Sequence, residues 1–272
     1  MSETILDRIV EQTKSDVAKR KQARSIGSFA DEALYHERAH HSLKEALRSA
    51  AKPVHVIAEV KKASPSQGII RADFNALTHA LDYEDHGASA ISCLTDEPFF
   101  KGELAFLKAI AERVQIPILR KDFIIDPFQI EEAKAHGANA ILLIASICSR
   151  QQLIELNHAA TEIGLECLVE LYSEHEKEKI DESLMPIIGV NNRDLNSFEV
   201  NVHRGVAILN SLENDTVKVS ESGLRTSSDL ALLHQNGIHA ALIGEHFMRQ
   251  PKPGVALQTM LNGLEELISQ DS

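Results

Sequence analysis

The stretch His136–Ile144, HGANAILLI, sets a glycine just ahead of an apolar run, and the chain uses the same device twice more. HGASAISCL occupies His86–Leu94 and NGIHAALIG occupies Asn236–Gly244. Glycine closes helices because it enters the left-handed conformation without a Cβ penalty, and a short apolar run behind it reads as a buried strand. Each copy is therefore a helix end followed by a strand. Five more runs of this kind flank the repeats: VHVIAEV from Val54, IPILRKDF from Ile116, ECLVELY from Glu166, IIGVNNR from Ile187 and VKVSES from Val217. Most are too apolar for simple in-out alternation, as parallel strands covered on both faces are.

Between the runs lie FNALTHALDYEDHG, DPFQIEEAKAHG, SRQQLIELNHAATEIG and TSSDLALLHQNG, with apolar residues at helical spacing. Several open on Asp, Ser or Thr and close on Gly, as capped helices do. Eight strands alternating with helices, their starts about 20 to 36 residues apart, predict an α/β chain folded as a (β/α)₈ TIM barrel. The rival is an open doubly wound sheet, but no G-x-G-x-x-G follows the first strand.

Residues 1–50 stand outside the alternation and are rich in Lys, Arg, Glu and Ala. ILDRIVEQTKSDVAKRKQ reads as one helix and SFADEALYHERAHHSLKEAL as one or two more. No Pro/Gly/Ser linker separates them from the rest. The expectation is an N-terminal helical extension, residues 1–50, packed on a catalytic barrel of residues 51–272, a single domain overall.

A formal charge of −12 speaks against a nucleic-acid or anionic-membrane surface, since both need clustered Lys and Arg. Any anionic ligand must then be held by a local site. Cys93, Cys148 and Cys167 are odd in number and form no C-x-x-C pair, which suits reduced core thiols. The first residues, MSETILDRIV, hold no long apolar stretch, and no segment reaches the length of a membrane span. A soluble, cytoplasmic protein is expected. His36 and His40 lie on a charged helix with no third ligand in view, so no metal site is expected.

In IAEVKKASPSQG, Ile57 to Gly68, strand alternation puts Glu59 and Lys61 on one face and Lys62 on the other. Alone, that is a structural ion pair. Other strand ends are polar too: Asp96 and Glu97, then Arg120, Lys121 and Asp122, then Glu170. Asn191, Asn192, Arg193 and Asp194 follow, then Glu221 and Ser222, then Glu245. Barrel active sites form where the C-terminal strand ends converge, so together these residues predict a site. Gly223 and Gly244 follow the last two strands, where barrels commonly hold a phosphate, or else they only make tight turns. Ser64 adds a hydroxyl donor or belongs to a plain Ser-Pro turn.

The blocks VIAEVKKASPSQG, ISCLTDEPFFKG, PILRKDFIIDPFQI, ILLIAS, LVEL, IGVNNRDLNSFEV, VSESG and LIGEHFMR resemble, in order from about Val56 to Arg249, indole-3-glycerol phosphate synthases. The resemblance implies ring closure of 1-(2-carboxyphenylamino)-1-deoxyribulose 5-phosphate, with loss of carbon dioxide and water, in tryptophan biosynthesis. It implies no metal or organic cofactor. By motif, Lys121 is the general acid for the ketone oxygen, Lys61 meets the substrate carboxylate, and Glu59 orients both lysines. Glu170 is the general base and Asn191 bonds a substrate hydroxyl or Glu170. Phe123 walls the aromatic ring, and Arg193 and Asp194 pair as scaffold. Ser64, Arg193, Glu221, Ser222, Gly223, Gly244 and Glu245 fall to substrate and phosphate binding. Burial and Lys61 are expected to lower the Lys121 pKa toward neutrality.

The departures are Tyr172 where His is common, Gln67 for Lys, and His246-Phe247 for a smaller pair. Three rivals remain. A phosphoribosylanthranilate isomerase-like barrel would not explain EVKKASPS and LRKDF. A Schiff-base aldolase would use Lys121 as nucleophile, and a non-catalytic barrel would only bind phosphate. The partner is a phosphorylated small molecule, and a monomer is compatible with this reading.

Overall fold

The computed structural model describes residues 4–194, 197–213 and 215–271. Eight parallel strands close into a barrel. They are β1 (His55–Val60), β2 (Ala90–Leu94), β3 (Ile118–Lys121), β4 (Ala140–Ile144), β5 (Glu166–Leu171), β6 (Ile187–Asn191), β7 (Val217–Glu221) and β8 (Ala240–Ile243). Each pairs with its sequence neighbour, and β8 closes on β1 through His55 opposite Ala240 and Ala58 opposite Ile243. All eight expected strands form, and the (β/α)₈ expectation holds.

Alternation along each strand divides the buried residues into two sets. Ile57, Leu119, Leu142, Leu168, Val219 and Leu242 pack together inside the barrel. Ala58, Ile91, Ile141, Val169, Ile188 and Ala241 pack outward against the helices. Cys93 and Cys167 belong to that outer layer, and burial pushes the Cys93 thiol up to about 12. The outer layer also holds a charge. Arg120 is wholly buried and forms ion pairs of 2.9 Å with both Asp122 and Glu132, while Thr95 accepts from its Nε at 3.0 Å. A buried guanidinium is tolerable only when its donors are paired this fully.

The N-terminal helices reach both ends of the barrel. α1 (Ile5–Ala23) starts on Thr4, whose hydroxyl accepts from the Asp7 N–H in a reciprocal capping box. Its Ile9 packs with Phe123 and Ile144 near the C-terminal strand ends. Farther along α1, Arg20 reaches Glu132 at 3.5 Å and Lys21 reaches Asp126 at 2.8 Å. α2 (Ala33–Glu37) follows a 3₁₀ turn at Ile26–Asp31. α3 (Leu43–Arg48) inserts Leu43 and Leu47 among Ile187, Val217 and Ala240 at the strand starts, and Ser42 donates to Glu166 at 2.7 Å. One segment therefore plugs the barrel bottom and overhangs its mouth.

Among the described residues, no helix is long and apolar enough to cross a membrane.

Candidate active site

A cavity of about 590 Å³ opens at the C-terminal strand ends. Its floor is charged. Lys121, the last residue of β3, points inward and donates to Glu221 of β7 at 2.9 Å and to Glu170 of β5 at 3.3 Å. Glu59 of β1 is 1% exposed and forms an ion pair with Lys61 just beyond the strand. Asn191, at the end of β6, also lines this space. Its side-chain carbonyl accepts from the Arg193 N–H at 3.0 Å. Its NH₂ has no acceptor among the described residues.

Two glycines make room for the acids. A Cβ on Gly189 of β6 would stand 2.2 Å from Glu221 Oε1, and one on Gly244 would stand 2.4 Å from Glu59 Oε1. Any other residue at these places would push the carboxylates away. Gly244 was expected to serve a phosphate; its lack of a side chain also seats Glu59.

The acids set the protonation of the floor. Burial pulls the Lys121 ammonium downward, but Glu221, Glu170 and Glu59 together outweigh it and hold the group well above its ordinary value. The expected fall toward neutrality is therefore wrong. That expectation counted burial and Lys61 and not the three carboxylates from three other strands. Burial drives the Glu221 carboxyl up from its ordinary value, to about 7, with Glu170 adding to the rise and Lys121 opposing it.

Above the floor the walls turn apolar. Phe123 sits 6.1 Å from Phe100, ring centre to ring centre, and Ile144 continues this side. From α1, Ile5, Leu6 and Ile9 cover it. The opposite side is cationic and polar, with Ser64, Arg193, Ser222, Gly223, Arg225 and Arg249. Ser222 and Gly223 are both left-handed, at φ 71° and 79°, and a Cβ on Gly223 would strike Val200. The turn after β7 thus requires its glycine. Ser64 lies in a small hairpin that pairs Ala63–Ser64 with Gly68–Ile69.

Every expected site residue lines this cavity: Glu59, Lys61, Ser64, Lys121, Phe123, Glu170, Asn191, Arg193, Glu221, Ser222, Gly223, Gly244 and Glu245. Some neighbours expected at the mouth turn elsewhere. Asp96 caps the short helix Glu97–Phe100, and Asn192 donates to Ser220 at 3.0 Å and to the Ser222 carbonyl at 2.9 Å. The expected Arg193–Asp194 pair gives way to other partners. Arg193 reaches Glu245 at 3.3 Å, and Asp194 accepts from Tyr172 at 2.6 Å. Arg225, Arg249 and the α1 side chains were missed. The arginines follow strands already marked as phosphate-holding, whereas nothing in α1 shows where it docks. Among the described residues, no group of three His, Cys, Asp or Glu is placed to hold a metal ion.

The family model for indole-3-glycerol phosphate synthase matches residues 6–260. The chain belongs to the indole-3-glycerol phosphate synthase family. An indole-3-glycerol phosphate synthase of Rhodopirellula baltica is 43% identical over 261 residues, covering 95% of this chain and 99% of that protein. One of Salinibacter ruber is 45% identical over 258 residues, covering 94% and 95%. Among solved structures, KGPDC from Streptococcus mutans superposes with a TM-score of 0.63 at 12% identity, over 79% of this chain and 99% of that one. The 3-hexulose-6-phosphate synthase of Salmonella typhimurium gives 0.63 at 13% identity, over 78% and 99%. These two likenesses speak for the barrel alone, while the sequence relatives place the chain among the synthases, which are carbon–carbon lyases.

Proposed function

We propose that the cavity closes the indole ring of 1-(2-carboxyphenylamino)-1-deoxyribulose 5-phosphate, with Lys121 as the general acid. The observation that carries this reading is the Lys121 ammonium, held between Glu170 and Glu221 on the floor of a cavity with one apolar wall and one cationic wall. The aromatic ring fits the Phe123 wall and the phosphate fits the side of Arg193, Ser222 and Gly223.

The ring carbon bearing the carboxylate attacks the ketone carbon, and the carbonyl electrons move to oxygen. Lys121 delivers a proton there. An alkoxide is a stronger base than an alkylamine, so the transfer runs downhill as the carbon–carbon bond forms, even from an ammonium held in its charged state. The carbon–carboxylate bond then breaks, releasing carbon dioxide and restoring aromaticity. Lys61 meets the carboxylate before this step and afterwards gives a proton to the departing hydroxyl. Glu170 takes the proton from the adjacent methylene carbon, so water leaves and the second ring double bond forms. Glu59 pairs with Lys61 and orients it, and Asn191 donates to a substrate hydroxyl. Glu221 keeps Lys121 in place.

Supplying the carboxyphenylamino substrate and following indole absorbance with released carbon dioxide tests this. One carbon dioxide for each indole is the expected result. No turnover by folded protein would contradict it.

A further inference from the structure

Glu245 is an odd residue in a site meant for an anion. It lies just after Gly244, in the turn where the phosphate is placed, and it lines the cavity. Its two oxygens are divided between two arginines. Oε2 takes Arg193 at 3.3 Å and Oε1 takes Arg249 Nε at 3.2 Å. Arg249 in turn donates from its other nitrogen to Gln67 Oε1, at 2.6 Å, in the hairpin loop after β1. The loops after β1, β6 and β8 are thus tied by one chain of side chains, with a single carboxylate at its centre.

A phosphate dianion entering this turn and the Glu245 carboxylate cannot both lie between the two guanidinium groups without strong repulsion. Arginine forks accept either anion with similar geometry. We propose that Glu245 is a positioning residue that stands in for the substrate's phosphate. In the free protein it holds Arg193 and Arg249 in the orientation the phosphate needs, and the phosphate displaces it. This rests on the phosphate placement proposed above and alters the role of Glu245 from phosphate ligand to phosphate competitor. The exchange lowers affinity for every phosphate, including that of the product, while keeping the arginines preorganised.

The test is calorimetric titration of inorganic phosphate into the full chain as wild type, Glu245→Gln, Arg249→Met and the double variant. KM for the carboxyphenylamino substrate is measured alongside. Releasing the two arginines should tighten phosphate binding about tenfold in Glu245→Gln, the scale of one charge-assisted contact. KM should fall in parallel. In the Arg249→Met background the gain should shrink to less than about threefold, because one of the released cations is gone. Unchanged or weaker phosphate binding in Glu245→Gln would overturn the proposal. So would an equal gain in both backgrounds, which would make Glu245 only a distant charge, and so would a set of proteins with no measurable phosphate binding. Glu245→Ser repeats the comparison should the glutamine variant misfold. Wild-type turnover of the substrate judges the reaction separately, since the phosphate titration does not depend on it.

Discussion

The α-carbon of Gly189 faces the Glu221 carboxylate so closely that an added methyl group would stand 2.2 Å from Oε1. Glu221 in turn holds the Lys121 ammonium at 2.9 Å. A missing side chain on one strand therefore places the charge on another. Gly189→Ala should force Glu221 off Lys121 and lower kcat at least tenfold, at a stability cost of about 1–3 kcal/mol for the overpacking. Steady-state kinetics with urea unfolding would measure both, and an unchanged kcat would show that Glu221 does not position the lysine.

The raised Glu221 carboxyl predicts a pH dependence of stability. Its folded value is about 7 against an ordinary 4.5, so between those values the folded protein binds more protons than the unfolded chain. The contribution of this group is therefore fully present below the ordinary value and is lost as pH rises through 7. Urea midpoints of wild type should fall from pH 5.5 to 7.5 more steeply than those of Glu221→Gln. Parallel slopes would contradict the assignment.

Arg120 bears the opposite kind of prediction. It is wholly buried between two carboxylates, so Arg120→Leu would strand Asp122 without a cation and leave Glu132 only the longer contact to Arg20. A loss of roughly 3–5 kcal/mol is expected from breaking such a pair on one side. Burial raises the Asp122 carboxyl, but Arg120 and Thr95 outweigh it and hold it below the usual range. The stabilisation is thus present near neutrality and fades as pH falls through that lowered value. Denaturant unfolding should show wild type losing stability as pH falls from 5 to 2.5, across and below the ordinary value of 3.8, with a smaller loss in Arg120→Leu.

The helical extension supplies a fourth test. Ile5, Leu6 and Ile9 of α1 face the cavity, and Ile9 is 4% exposed. Ile9→Ala should cost about 2–4 kcal/mol by the cavity it leaves and raise KM several-fold with a smaller effect on kcat. An unaltered KM in a folded variant would separate α1 from substrate binding.

These residues also mark what the sequence makes legible. Period-two alternation with the rule for strand C-terminal ends suffices to bring Glu59, Lys121, Glu170, Asn191 and Glu221 to one mouth, because each position follows from its own strand. Properties that need two or three strands at once escape it. The Lys121 pKa depends on carboxylates from β1, β5 and β7. Gly189 matters only beside Glu221, and in IIGVNN it reads as an ordinary strand residue. α1 shows an amphipathic helix but not its docking place, which tertiary packing decides.

The central claim is that Lys121 gives up the proton that starts ring closure. Lys121→Gln keeps a long polar side chain while removing the acid. Rapid-quench turnover with chelator present, together with KM or direct substrate binding, would test it. The account predicts binding within about tenfold of wild type and kcat lower by roughly 10²–10⁴, the usual worth of a general acid. A variant that binds substrate and turns over at near the wild-type rate would contradict it.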